Sequence, residues 1–452
     1  MQPFEKIKEY SKVVCDQIKW KKAHSVITEE IENHLIDQRD AYISNGADEA
    51  IATDQAIAQM GDPVFVGTEL DRTHRPKPQW SMIILTAILL ITGLLIRIFF
   101  ISRDEQWLAP TVISMIVGLG LMAAAYFMDF TLIGKHPKTI YFAILALLVA
   151  AILFTPVING SFYYAGFLML LFPLGFAAIV YATRNKGYWG IILCGFSFLF
   201  PAVLSFLIPS TSGLLLFTLS GLVILCLAIS KKWFKVKVLY GYLLVFIPVV
   251  IVLLLGFFVL YGSYRWERIQ SVFDPASYPT GMGYIASNIK ALLAGSSLFG
   301  HGTIPETTTI AWMGNSTDYL LTYLIFNFGW IAFIIIMGLL MFFIVKGFMF
   351  CFKQKSSLAL FVSVSTMMTF TMQVMGYVIV NLGFPIIAPI SLPLISYGNI
   401  ATIINLTLIG IMLSVFRTGD IIKDNNISKN RNKTFITYSE GKLIISFSKK
   451  LI

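Results

Sequence analysis

One feature limits what this chain can fold into more than any other. From residue 80 to residue 416, apolar stretches long enough to cross a bilayer follow one another with short polar interruptions. A helix of about 20 apolar residues spans the hydrocarbon core. Ten such stretches can be marked, at 80–100, 108–127, 139–157, 162–182, 188–207, 212–230, 238–260, 319–345, 358–382 and 398–416. Backbone polar groups in lipid must be satisfied within the segment, so these stretches read as helices. The expected fold is all-α: a polytopic membrane protein with about ten transmembrane helices and a small cytoplasmic helical domain ahead of them.

Composition agrees. Only 13% of the 452 residues are charged, where soluble domains carry about a quarter. The net charge of +10 does not imply nucleic acid, because Lys and Arg sit in short clusters between the apolar stretches. Those clusters set the orientation. Lys135 and Lys138 fall in the second loop, Arg184 and Lys186 in the fourth, and Lys231, Lys232, Lys235 and Lys237 in the sixth. Lys346, Lys353 and Lys355 fall at the eighth, while the third and fifth loops carry no charge. The positive-inside rule then puts both termini in the cytoplasm and the seventh loop outside. Cys15, Cys194, Cys226 and Cys351 avoid the expected outer loops, which argues against disulfides. Arg97, inside the first stretch, either snorkels to the outer surface or pairs within the bundle.

Residues 1–77 differ in kind. They hold 10 Lys/Arg against 14 Asp/Glu, a net of −4, and the remainder is +14. Val26, Ile27, Ile31 and Leu35 recur at helical spacing, with a start expected at Thr28 and a stop at Asn45-Gly46. Asp48 caps a second expected helix, ended by Gly61-Asp62-Pro63. His24 and His34 lie ten positions apart with no third ligand and read as solvated helix positions. The domains expected are 1–77, 78–417 with a large outer loop at 261–318, and a basic cytoplasmic tail at 418–452. In that tail, Thr434–Tyr438 and Leu443–Phe447 alternate like two strands. A small hairpin and a contact with anionic lipid are both open readings there.

The long loop is the one extended polar interruption in the apolar region. It holds four of the ten acidic residues beyond residue 77. Arg265, Arg268 and Lys290 lie in it, and Gly283–Ala294 is an amphipathic segment suited to the membrane interface. It ends at Asn315-Ser316-Thr317-Asp318, immediately before the eighth stretch. Basic groups and a carboxylate gathered at a membrane surface suit a lipid-linked phosphate: cations neutralise phosphate and a carboxylate activates a hydroxyl. The competing reading makes Asp318 the N-cap of the eighth helix, and residue chemistry alone leaves both open. Gln373 and Asn381, near the ninth stretch, line a cavity or bond between helices.

Several motifs resemble the SEDS family (shape, elongation, division and sporulation; RodA/FtsW-like). They occur in order: Arg268 to Pro275, Gly283-Tyr284, Leu298-Phe299-Gly300-His301-Gly302, and Thr317-Asp318-Tyr319. Gln373, Asn381-Leu382-Gly383 and Pro389 to Gly398, including Ser396-Tyr397-Gly398, resemble the family's C-terminal signature. The likeness covers about residues 80–417. Residues 30–35 and 60–63 resemble a small helical domain that precedes some permease-like membrane proteins.

The resemblance implies glycan-strand polymerisation from lipid II at the outer face of the bacterial cytoplasmic membrane. Asp318 occupies the position of the family's essential carboxylate, so it would be the base or would hold a divalent metal. Arg265, Arg268 and Lys290 become candidates for the pyrophosphate, and Gln373, Asn381, Ser396 and Tyr397 for the rest of the substrate. Implied partners are lipid II, a class B penicillin-binding transpeptidase and membrane lipids, with no nucleic acid. The chain also departs from the family's pattern. Met313-Gly314 stands where Pro-Glu is usual, Asn327 where the eighth stretch carries Glu, and Asn399 where a second Gly follows Ser396-Tyr397-Gly398. A precursor transporter and a non-catalytic scaffold are the rival expectations.

Overall fold

The computed structural model describes residues 3–101, 108–157, 162–208, 211–261, 264–278, 281–303, 318–396, 399–419, 436–439 and 442–445. Two compact units emerge: Met1–Pro78 with Arg417–Ile452, and Gln79–Phe416.

The first unit holds α1 (Pro3–Asp16), α2 (His24–Ser44), α3 (Glu49–Met60) and α4 (Pro63–His74). Ile7, Val14, Ile27, Ile31 and Leu35 form its buried core. α2 begins at His24, earlier than Thr28, and His24 Nε2 lies 2.7 Å from the Ile18 carbonyl. That ring is therefore part of a turn, not a solvated helix position. Asp48 caps α3 by accepting from Ala50 N–H at 3.3 Å, and Asp62 caps α4 through Val64 N–H at 2.7 Å. Asp71 accepts from Lys19 N–H at 2.9 Å and from Arg75 at 2.9 Å. The backbone hydrogen bond first, and Arg75 with it, lower the Asp71 pKa. A short antiparallel hairpin pairs β1 (Ile436–Ser439) with β2 (Lys442–Ile445).

The second unit is helical. Its elements begin with α5 (Trp80–Ile96), α6 (Leu108–Phe127), the short α7 (Thr131–Lys135) and α8 (Pro137–Phe154). Next come α9 (Tyr163–Leu168), α10 (Phe172–Thr183), α11 (Gly187–Leu207), α12 (Thr211–Ser230) and α13 (Val238–Leu260). The long loop carries α14 (Tyr264–Phe273) and α15 (Met282–Ala294). The unit ends with α16 (Leu320–Phe328), α17 (Trp330–Phe352), α18 (Ser357–Asn381) and α19 (Asn399–Thr418). Among the described residues nine helices are long and apolar enough to cross a membrane, and α13 adds a shorter apolar piece, Val238–Val252. This is a polytopic, multi-pass membrane protein.

The spans are not equivalent. In the α18 window 83% of residues are buried, against 22% for α6 and for α8. α18 is thus a central helix, and the two others present most of their surface to lipid. α10 packs against α8, α11, α12 and α18, with Phe172 and Phe176 each meeting Phe217 edge-on at 5.8 Å. Arg97 follows α5 in a π-helical turn and is 4% exposed, so it lies inside the protein instead of snorkelling.

The eighth span departs from expectation. A continuous helix at 319–345 is replaced by α16 and α17, broken at Gly329 (φ 85°). A side chain there would run into the Leu298 carbonyl, and left-handed backbone disfavours any other residue. The turn at residues 296–303 inserts at the break. Trp330 N–H donates to the Ser297 carbonyl at 3.1 Å, and Gly302 N–H to the Phe326 carbonyl at 2.8 Å.

Candidate functional site

α16 is short and buried on most sides, through Leu320, Leu321, Thr322, Leu324, Ile325 and Phe326. A buried helix start needs partners for its first N–H groups. Here α18 supplies two of them. Leu320 N–H donates to Tyr377 Oη at 3.1 Å, and Thr322 N–H to Asn381 Oδ1 at 3.0 Å. The cap position is Tyr319, and no side chain caps from it. Asp318 is therefore not the N-cap of a spanning helix. It sits half-buried one residue before that cap, at the positive end of the α16 dipole.

Asn381 holds Asp318 by its main chain. Its Nδ2 donates to the Asp318 carbonyl and to the Tyr377 carbonyl, each at 3.0 Å. Its Oδ1 accepts from Thr322 N–H and from Thr322 Oγ1, each at 3.0 Å. Both amide donors and one lone pair are thus matched by protein, and the single Thr322 hydroxyl proton is shared between Oδ1 and the Asn381 carbonyl, 2.9 Å away. The residue is fully buried.

Lys290 reaches the same end of α18 from α15. Its stem lies against Gly383, where an added Cβ would stand 2.8 Å from Lys290 Cγ. Gly383 has φ 95°. Lys290 Nζ donates to the Val272 carbonyl at 3.0 Å and lies 5.3 Å from the Phe384 ring centre. α15 is seated by an apolar cluster of Ile289, Leu292, Tyr319, Phe326 and Val380. Asp318, Lys290 and Asn381 are thus brought together around residues 381–384.

Gln373 lies two turns earlier on α18 and is 2% exposed. It forms a reciprocal amide pair with Asn405: Gln373 Nε2 donates to Asn405 Oδ1 at 3.0 Å, and Asn405 Nδ2 to Gln373 Oε1 at 3.2 Å. Ser391 Oγ adds a donor at 3.4 Å. Gln373 and Tyr377 also line a mostly apolar cavity of about 90 Å³ between α12, α18 and the loop after α18. Residues 391–396 of that loop are buried, non-helical backbone, which a membrane protein tolerates where protein surrounds it. Ser396 Oγ accepts from Leu392 N–H at 3.0 Å inside it. Gly93 of α5 packs on the Leu394 and Ile395 carbonyls, 2.8 and 2.6 Å from where its Cβ would be.

Arg265 and Arg268 fall on α14, but their side chains lie outside the described residues, as do Tyr397 and Met313-Gly314. His301 is a turn residue, edge-on to Phe326 at 4.8 Å. Asn327 donates to the Tyr323 carbonyl within its own helix at 2.8 Å. Among the described residues no three His, Cys, Asp or Glu side chains gather as metal ligands. Sequence reading missed Thr322, Tyr377 and Asn405. A signal existed: Thr369, Gln373, Tyr377 and Asn381 repeat at every fourth position, one polar stripe on an otherwise apolar helix.

Comparison with known proteins decides the family. The model of the cell cycle proteins FtsW, RodA and SpoVE matches residues 79–420. The chain belongs to that family. Among FtsW–RodA–SpoVE relatives, the probable peptidoglycan glycosyltransferase FtsW of Trichlorobacter lovleyi is 23% identical over 160 residues, 35% of this chain and 42% of that protein. The protein of the same description from Acinetobacter baylyi is 25% identical over 169 residues, 36% and 42% of the respective chains. The aligned part therefore spans less than half the length of these relatives. A chain from a peptidoglycan synthase complex that coordinates polymerization and crosslinking superimposes with a TM-score of 0.61 at 21% identity, covering 76% of this chain and 98% of its own. Thermus thermophilus rod shape determining protein RodA gives 0.53 at 17% identity, covering 76% and 97%. At such identities these two likenesses bear on the fold alone.

Proposed function

We propose that this protein polymerises glycan strands from lipid II at the outer face of the bacterial cytoplasmic membrane, with Asp318 as the catalytic base. Both termini are cytoplasmic in this reading, as the Lys and Arg clusters require. The observation that carries it is the start of α16. Tyr377 and Asn381 accept from two helix-start N–H groups while Asn381 Nδ2 holds the Asp318 carbonyl, which sets Asp318 at the positive end of α16. The relatives described as probable peptidoglycan glycosyltransferases support the reaction class.

In the reaction, the 4-hydroxyl of one lipid II attacks the anomeric carbon of another. A carbon–oxygen bond forms with inversion, and the bond to undecaprenyl pyrophosphate breaks. The hydroxyl proton passes to Asp318, and the pyrophosphate leaves with the negative charge. Lys290, with Arg265 and Arg268 from α14, would neutralise that charge. Ser396, in the buried segment 391–396, would shape the substrate's walls together with Tyr397. Asn381 and Gln373, whose hydrogen bonds are filled by protein, would act by holding Asp318 and the loop in place. A class B penicillin-binding transpeptidase is the expected partner.

The test is polymerisation of lipid II by purified protein, with the transpeptidase present, for wild type and Asp318→Asn. Long strands from wild type, and a loss of at least about a hundredfold in the variant with its melting temperature kept, are expected for a lost catalytic base. Equal activity in both would remove Asp318 from the chemistry. Inactive wild type together with full complementation of a deletion strain by the variant would make the protein a scaffold. Lipid movement between leaflets without polymer would make it a transporter.

A further inference from the structure

A second built region lies far along the chain from the family motifs. Between Asp129 and Glu267 there is no acidic residue. Within that interval two loops, 184–187 and 231–237, carry Arg184, Lys186, Lys231, Lys232, Lys235 and Lys237. They are joined directly: Asn185 N–H donates to the Trp233 carbonyl at 3.0 Å. Phe234 is fully buried beneath them, and a Cβ on Gly190 would stand 2.8 Å from its ring. The five lysines are exposed, and none of them has a carboxylate within ion-pair distance among the described residues. Arg184 is committed inward, donating to the Tyr181 carbonyl at 2.9 Å and lying 3.8 Å from that ring.

The backbone of these loops is unusual as well. Four non-glycine residues have left-handed φ among the described residues, and three of them are here: Asn185, Lys232 and Lys235. Glycine or asparagine suits such positions best. Two lysines occupy them, and strain of this kind collects where a side chain has a task.

The loops lead into α11 and α13, which bound an apolar groove of about 520 Å³, and Lys237 Nζ lies 5.8 Å from the ring centre of Tyr240, one of its lining residues. Tyr188 and Tyr240, near the two helix starts, flank its entrance, and Leu243, Leu244, Ile247 and Pro248 form its α13 wall. Pro248 lacks the N–H that would pair with the Leu244 carbonyl, so the wall is cut by a proline. From Tyr240 to Pro248 is a rise of about 12 Å, close to the thickness of one leaflet. In the expected orientation the lysines would stand at headgroup level, the tyrosines at the interface and the α13 wall in the hydrocarbon.

We propose that this groove and its lysine loops bind an anionic glycerophospholipid, with the phosphate among Lys231, Lys232, Lys235 and Lys237 and an acyl chain along Leu243 to Pro248. Charge complementarity selects the headgroup, and the apolar wall from Leu243 to Pro248 suits the chain. Both loops precede helix starts, whose positive dipole ends add to the attraction. In the proposed orientation the lipid belongs to the inner leaflet. The site is independent of the chemistry at Asp318.

The test uses the full chain in nanodiscs of equal phosphatidylglycerol and phosphatidylcholine, followed by native mass spectrometry of the lipids retained. Wild type is expected to retain phosphatidylglycerol preferentially. Each lysine at the surface contributes about two- to fivefold to the association. Replacing all four with glutamine (K231Q, K232Q, K235Q, K237Q) should lower the preference at least about tenfold. Replacing Lys346, Lys353 and Lys355 with glutamine, on another loop of the same expected face, should leave it unchanged. Leu244→Trp, which fills the groove, should release the lipid with every lysine in place, and it reads the site even if the quadruple variant fails to fold. Unchanged preference in the quadruple variant or in Leu244→Trp overturns the proposal. An equal fall in the control variant overturns it too, because bulk charge would then explain the effect. Full displacement by millimolar inorganic phosphate would replace the lipid with a simple anion.

Discussion

At the Asn381 end of α18, polarity is used up within the protein; at the loops before α11 and α13 it is left in surplus. Asn381 spends both side-chain N–H groups on Asp318 and Tyr377, and its side-chain and main-chain oxygens on Thr322. Five lysines in the paired loops are exposed, without ion-pair partners among the described residues. Both regions are shaped by backbone constraint, Gly383 in one and Lys232 with Lys235 in the other. The first arrangement fixes the position of one carboxylate. The second fixes a field that a mobile lipid can find. A polar group buried in a membrane protein must be matched; one at the interface is free to attract.

Breaking the matched region should have the largest effect. Asn381→Ala would take a donor from the Asp318 carbonyl and the acceptor from Thr322 N–H in a dry environment, while the Thr322 hydroxyl keeps the residue 381 carbonyl. Unsatisfied buried groups cost about 1–3 kcal/mol each in soluble proteins, while interhelical bonds in membranes average about 0.6 kcal/mol. A net loss of about 2–4 kcal/mol is expected, read as a lower melting temperature in detergent. Polymerisation should fall more than stability requires, because Asp318 loses its tether. Thr322→Val, which removes one hydroxyl and keeps the N–H bond, should cost about 1 kcal/mol and leave most activity. Equal damage from both would show that Asn381 is no special anchor.

The next effect tests Lys290. At Gly383 a Cβ meets the flexible Lys290 stem, and φ 95° strains any other residue. Gly383→Ala should cost about 1–2 kcal/mol in stability from backbone strain. It should also turn Lys290 away from Val272 and Phe384. If Lys290 faces the leaving pyrophosphate, the rate falls about tenfold further, the equivalent of ~1.4 kcal/mol. Lys290→Met should then reproduce the rate loss without the stability loss. A full rate in Lys290→Met would leave the lysine a purely structural bridge between α14 and α15.

Much of this was legible in the sequence. The spans follow from apolar length alone, and the lysine clusters from their own spacing. The break at Gly329 was not legible, because Phe328 and Trp330 continue the apolar run and the cause is the Leu298 carbonyl, distant in sequence. Asp62-Pro63 ends α3 but equally starts α4, with Asp62 as cap and Pro63 in the first turn, and only one half of that signal was read. Asp318 stood out as a carboxylate with a high burial penalty. That Tyr377 and Asn381 would accept from two helix-start N–H groups depends on which helix faces α16, and periodicity within one helix carries no such information.

The smallest effect is the most discriminating. Lys232 has φ 55°, a conformation disfavoured by about 1–2 kcal/mol for an L-residue with a side chain. Lys232→Gly removes that strain but gives the unfolded chain more freedom, so a net gain of about 0.5–1 kcal/mol in stability is expected. The same change deletes one cation from the lipid's headgroup site and should weaken phosphatidylglycerol association about two- to fivefold. Stability and lipid binding would move in opposite directions at one residue. A variant that gains stability and keeps its lipid preference would mean that the strained lysine serves the loop's shape alone. A variant that loses both would mean that Lys232 packs in the fold and that its left-handed backbone is no burden. The opposed pair of outcomes is what separates a residue kept for its charge from one kept for its contacts.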